Sequence, residues 1–272
     1  KPRRKVPVAR RRRVWEHGAA PPAPPHDMRT ITLAFAALIA CSSHLPQALA
    51  QTQSACSSDG QPQPLALVER FVSADCEACW SDPAHPTPSA QTHVVTLDWI
   101  APGTLGDDAP LSAAATRDAL QRLDTLARPV PTRTDVHIAT VQQPPTNAAA
   151  HTTALLRVGH GPPFNDYLGA TMAFQPAPGM AARGPWSFYL LLVESVPAGA
   201  DGTTAPRNLV RNMLQGTWDK REQLSKSEKH RWSELRPMRC ADGAQPARLR
   251  MVGWVQDAQG RIVAAAQSVC PP

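Results

Sequence analysis

Cys76 and Cys79 are two thiols three residues apart in "SADCEACW" (73–80), directly after the apolar run "LALVERFV" (65–72). Residues of this type at this spacing can do disulfide exchange, which needs one exposed cysteine that ionises easily and a second to resolve the mixed disulfide. On the first turn of a helix, Cys76 would be the attacking thiol and Cys79 the resolving one. Asp98, at the end of "VVTLDW" (94–99), can lie behind Cys79 and accept its proton, or else cap the following loop. Glu77 places a negative charge between the cysteines. That charge disfavours a thiolate, so the pair is expected to rest oxidised and to be a weak oxidant. Trp80 offers either a docking surface for a client peptide or simple packing.

The redox compartment decides whether such a pair works or merely staples. From Met28 the chain reads one arginine, an apolar run from Ile31 to Ala40, and a polar stretch ending in Ala48-Leu49-Ala50. This order is that of a secretory signal peptide cleaved near Ala50, and the run is too short to span a bilayer. "LIAC" (38–41) reads alternatively as a lipoprotein box with a lipid anchor at Cys41. Residues 1–27 form a basic arm, read as sequence upstream of a true start at Met28 rather than as a nucleic-acid or membrane arm. A twin-arginine signal is a third reading, weakened by the "PPAPP" that separates the arginines from the apolar run.

The whole chain has 28 Lys plus Arg against 22 Asp plus Glu. Nine of the basic and two of the acidic residues precede position 51, so residues 51–272 carry a formal net charge of −1. The electrostatic footprint of nucleic-acid binding is then absent, and a periplasmic or secreted protein with no stable membrane span is expected. Its partners would be client thiols or disulfides.

Five cysteines follow residue 50 (Cys56, Cys76, Cys79, Cys240 and Cys270), and export makes disulfides their default state. The expected pairs are Cys76 with Cys79, and Cys56 with Cys270 to tie the two ends together, leaving Cys240 odd. No second Cys-x-x-Cys and no close pair of histidines completes a zinc site, so no metal and no cofactor are expected. His93, His137, His151 and His160 read as surface or loop residues. "RVGHGPPF" and "APGMAARGPW" lack the strand-to-helix order of a phosphate loop, and neither G-x-S-x-G nor H-E-x-x-H occurs.

The elements that must position the pair read as follows. "LALVERFV" and "HVVTLDWI" (93–100) are buried strands. "SAAATRDALQRLDTLA" (112–127) is a helix capped by Ser112, with Ala115, Leu120, Leu123 and Leu126 on one face, and 136–141 is a third strand. This is an α/β pattern with at least one crossover. Beyond residue 150 come short strands in "TTALLRVG", "GATMAFQP" and "WSFYLLLVES". "DKREQLSKSEKHRWSEL" reads as a solvated helix or loop, and "RLRMVGWVQDAQGRIVAAAQ" as a hairpin. Twenty-nine prolines argue against long helices. The expected organisation is a basic arm (1–27), a signal peptide (28–50), an α/β domain (51–150) and a β-rich domain (151–272).

Four segments, "LALVERFVSADCEAC", "VVTLDW", "RNLVRNMLQGTW" and "MVGWVQDAQGRIVAAAQ", resemble in order and spacing a family of secreted bacterial proteins known as domain of unknown function 1223. The resemblance spans most of residues 62–267. It implies a thioredoxin-like N-terminal part with Cys76 and Cys79 at the redox position and a β-rich C-terminal part, without supplying a reaction. The family places a Thr-Pro before the strand that faces the cysteines. Pro131 in "VPT" is the residue offered for that docking role, whereas an ungapped match puts Thr134-Asp135 there. The chain also departs from the family after Cys79, where Trp80 and a proline-broken loop replace a full helix.

Overall fold

The computed structural model describes residues 56–83, 93–142, 154–178, 180, 184–219 and 231–270. All described residues fall within the unit Ala50–Pro272. The expected basic arm, signal peptide, cleavage point and Cys41 anchor therefore lie outside the described residues, as does His151.

Among the described residues, apolar runs flanked by turn residues give eleven strands. They are β1 (Cys56–Ser57), β2 (Ala66–Ser73), β3 (Val94–Ala101), β4 (Thr134–Thr140), β5 (Leu155–His160) and β6 (Tyr167–Gln175), then β7 (Trp186–Val196), β8 (Arg207–Trp218), β9 (Trp232–Arg239), β10 (Leu249–Gln256) and β11 (Ile262–Gln267). Only two α-helices accompany them among the described residues: α1 (Glu77–Ser81), of five residues, and α2 (Arg117–Thr125), of nine. The strands form a four-stranded sheet, β1-β5-β6-β9, and a seven-stranded sheet, β11-β10-β7-β8-β3-β2-β4.

This corrects the expected fold class. The protein is mostly β, built on two sheets, and not an α/β thioredoxin-like fold. The physical reason lies in the two helical segments. A proline follows α1 at Pro83, and α2 is preceded by a separate 3₁₀ turn, Ser112–Ala114, rather than being continuous with it. Thr116, extended at φ −127° and ψ 147°, caps α2 by accepting from the Ala119 amide at 3.3 Å, so Ser112 is not the cap. Part of the charged run read as helix or loop is also strand, because Trp232, buried against the core, begins β9.

The seven-stranded sheet takes strands from both sides of residue 150. β2 and β3 are parallel, β4 is antiparallel to β2, and β3 meets β8 of the second sequence half through one parallel bridge, Asp98 to Leu209. Side chains reinforce this thin seam. Asn208 donates its amide to Asp98 Oδ2 at 2.8 Å and its side-chain NH₂ to the Thr96 carbonyl at 2.7 Å. Further along β8, Asp118 of α2 accepts the Met213 amide at 2.8 Å, fastening the helix to the strand. At the far edges the sheet curls onto itself, with Val141 bridging Ile262 in parallel and Gln142 donating to the Ile262 carbonyl at 2.8 Å.

Period-two alternation sorts the side chains onto the two faces. On one face Leu67, Phe71, Leu97, Trp99, Leu191, Val252 and Trp254 pack with Ala119 and Leu123 of α2. Phe71 and Trp99, directly opposite each other in the β2–β3 ladder, stack at 5.8 Å. The opposite face is shared. Over β7 and β10 it carries the four-stranded sheet, through Val158, Met172 and Phe174 against Leu190, Leu192 and Met251. Gly253 permits this close approach, since a Cβ there would lie 2.8 Å from Val158 Cγ1 and 3.2 Å from the Tyr189 carbonyl. Over β2 and β3 the same face carries α1 and the cysteine pair, on Val72, Ile100 and Leu209.

Candidate functional site

The site starts where β2 ends. The Ala74 amide bonds to the Ala101 carbonyl at the end of β3 (2.8 Å), and the Cys76 amide bonds to Ser73 O (3.0 Å), so the chain turns up off the sheet edge at Cys76. Asp75 fixes the neighbouring loop by accepting the Thr104 amide at 2.7 Å and the Thr104 hydroxyl at 3.0 Å. Gly103 leaves room for that carboxylate, because a Cβ on Gly103 would overlap it.

Cys76 and Cys79 are joined, with sulfurs 2.01 Å apart. Cys76 is half-buried at the N-cap of α1, whereas Cys79 is 3% exposed. Glu77 and Ala78, between them, are exposed.

Beneath the pair lies a group of buried charges. A five-residue helix is not stable by itself, and its last carbonyls need donors. Two buried arginines supply them. Arg70 Nη1 reaches the Cys79 carbonyl at 3.5 Å, and Arg207 Nη2 donates to the carbonyls of Trp80, at 3.3 Å, and of Asp82. The two guanidinium groups flank the Trp80 ring at 5.8 and 5.9 Å from its centroid. Trp80 is itself buried and donates its indole N–H to the Asp201 carbonyl at 2.7 Å. It is therefore a packing residue and not a docking surface. Burial pushes the Arg207 pKa down, and the neighbouring Arg70 charge adds to the effect.

Asp98 is fully buried and spends both oxygens on other partners. Arg70 Nε donates to Oδ1 at 2.6 Å, and the Asn208 amide donates to Oδ2. It joins the cysteines only through Arg70, not by a bond to Cys79. Pro131 lies in the loop that lines a cavity of about 450 Å³ between Arg128 and Asp135. That loop reaches the site through Arg133, whose carbonyl accepts the Ser73 amide at 2.8 Å. The cis peptide among the described residues is Gly184–Pro185, so the Val130–Pro131 bond is trans.

The structure thus brings Cys76 and Cys79 together, ties Asp98 to them indirectly, and leaves Pro131 on the adjoining loop. Arg70 and Arg207 were not anticipated. The available signal was "VERF", two charged residues inside an otherwise apolar buried strand, which require buried partners. His160 was misread as a surface or loop residue. It ends β5 and is 2% exposed, since alternation points it at the core. His93 is exposed with φ at 51°, and His137 is half-buried in β4, where burial lowers its pKa.

Cys56 and Cys270 are bonded, with sulfurs 2.06 Å apart, and Cys240 is a buried free thiol. Among the described residues no helix is long and apolar enough to cross a membrane.

No family model matches the chain, and no curated protein matches it. Among solved structures the chain is similar to HBP35 of Porphyromonas gingivalis, at 10% identity and a TM-score of 0.46, over 75% of this chain and 74% of that one. It is also similar to a DUF3823 family protein from Bacteroides ovatus, at 12% identity and a TM-score of 0.28, over 51% of this chain and 63% of that one. Both likenesses are too distant to carry a fold or an activity over to this chain.

Proposed function

We propose that the protein is an exported thiol–disulfide exchange protein acting through Cys76 and Cys79. The observation that supports this reading is the asymmetry of the bonded pair, with Cys76 half-buried at the rim and Cys79 buried beneath it. A client thiolate attacks Cys76 Sγ, the Cys76–Cys79 bond breaks, and Cys79 leaves as the thiolate and takes up a proton. A second client thiol then releases Cys76, so the client dithiol is oxidised to a disulfide and the pair is reduced to two thiols. Glu77 and the shortness of α1 both disfavour the reduced, ionised form, which makes the pair a weak oxidant. Export is supported by the apolar segment after Met28 and by two disulfides in a chain of this size. The four segments that resemble a secreted family are consistent with this compartment.

The second reading is a non-catalytic envelope protein that binds a partner and keeps Cys76–Cys79 as a staple. The engagement of both Asp98 oxygens favours it, since no free carboxylate is left to exchange a proton with Cys79. Insulin reduction by dithiothreitol separates the two. Exchange activity shortens the lag with the parent protein and not with Cys76→Ser. Equal lags, together with a reduction potential far below about −300 mV, establish the staple instead.

A further inference from the structure

The two ends of the described chain meet at a second sulfur pair. Cys56 in β1 stands across from His160 in β5, and the neighbouring Ser57 also bridges Val269, which delivers Cys270 to the same place. The Cys56 and Cys270 sulfurs and a ring nitrogen of His160 all lie within 4.8 Å of one another.

The His160 ring has an unusual setting. Nδ1 is 2.8 Å from the Gly161 carbonyl oxygen and Nε2 is 3.2 Å from the Leu249 carbonyl oxygen. A neutral imidazole has one N–H. In the tautomer that carries it on Nδ1, the N–H is donated to the Gly161 carbonyl and the Nε2 lone pair is free to take a metal. That tautomer, with one ring N–H held by a backbone carbonyl and the other nitrogen bare, is the one a metal-ligating histidine adopts. The Leu249 carbonyl that faces Nε2 also lies 3.5 Å from Cys270 Sγ, so an oxygen, a nitrogen and two sulfurs converge on one small region.

We propose that opening the Cys56–Cys270 disulfide creates a zinc site made by Cys56, Cys270 and His160, with a fourth position left to an oxygen. Two thiolates and an imidazole are the donor set that zinc takes in preference to harder divalent ions. Reduction adds two electrons and two protons to the disulfide; a dithiol supplies both and becomes a disulfide, or a phosphine supplies the electrons and becomes its oxide while water supplies the two protons and the oxygen. Zinc then displaces the two thiol protons. The link between the ends of the unit exists in either state, as a sulfur–sulfur bond or through the metal.

The test uses the full chain with Cys41, Cys76, Cys79 and Cys240 replaced by serine, so that Cys56 and Cys270 are the remaining thiols. After reduction with tris(2-carboxyethyl)phosphine, addition of zinc and gel filtration, the protein retains one zinc per chain. The oxidised protein retains none, and His160→Gln loses stoichiometric retention. Cobalt in place of zinc gives thiolate charge-transfer bands and tetrahedral d–d bands that the His160→Gln protein lacks. Where the reduced chain unfolds, refolding is followed by far-ultraviolet circular dichroism. Recovery with zinc but not without it supports the site. Retention unaffected by His160→Gln, no retention by the reduced parent, or no recovery with zinc overturns it.

Discussion

Arg70 and Asp98 form an ion pair that is 1% and 0% exposed and that sits between the β3–β8 seam and the cysteine helix. Asp98→Asn leaves a buried guanidinium without its counter-charge, and Arg70→Met leaves a buried carboxylate. Breaking one side of such a pair costs about 3–5 kcal/mol. For a chain of this size that lowers the melting temperature by roughly 6–20 °C. The double variant removes both charges, while the side-chain carbonyl of the introduced asparagine still accepts the Asn208 amide. Its residual cost is one unpaired amide group, about 1–3 kcal/mol. The two single changes together amount to roughly 6–10 kcal/mol, so the pair should show a coupling of at least about 3 kcal/mol. Urea denaturation followed by tryptophan fluorescence under non-reducing conditions measures all four proteins. Additivity to within about 0.5 kcal/mol would refute the reasoning, since it would mean that the two groups do not share one buried electrostatic unit.

Cys240 is buried and its thiol pKa is pushed up, by burial first and then by the Asp166 charge. It should resist Ellman's reagent in the native protein at pH 8 and react on denaturation; rapid native labelling contradicts its placement. Hydrogen bonds from Arg128, at 2.6 and 2.5 Å, hold the Asp135 carboxyl below its ordinary pKa. The folded pKa is the lower one, so the stabilisation is in place above the unfolded value of about 3.9 and is lost as pH falls through the folded value. Asp135→Asn should thus be less stable than the parent by under about 1 kcal/mol near neutrality, with the gap closing below about pH 4 in acid titrations. A gap that persists in acid would assign the loss to packing.

The strands were legible because apolar alternation is a local signal. "LALVERFV", "HVVTLDWI" and "WSFYLLLVES" became β2, β3 and β7 within a residue or two. The proximity of Cys76 and Cys79 was legible for the same reason, as a spacing of three is a local constraint. The fold class was not. Strand-helix-strand texture in the first half reads the same whether its sheet ends at residue 150 or runs on into β8, and one bridge, Asp98 to Leu209, makes it run on.

From the sequence alone came most of the strands, their apolar faces and the candidate thiols, because each follows from neighbours a few residues away. Tertiary structure alone decided that Asp98 answers to Arg70 and Asn208 rather than to Cys79, that His160 faces the Cys56–Cys270 bond, and that the sheet's edges meet at Val141 and Ile262. Those partners are set by the burial of charge and by sheet register between segments 28 to more than 100 residues apart, and no local pattern encodes such distances.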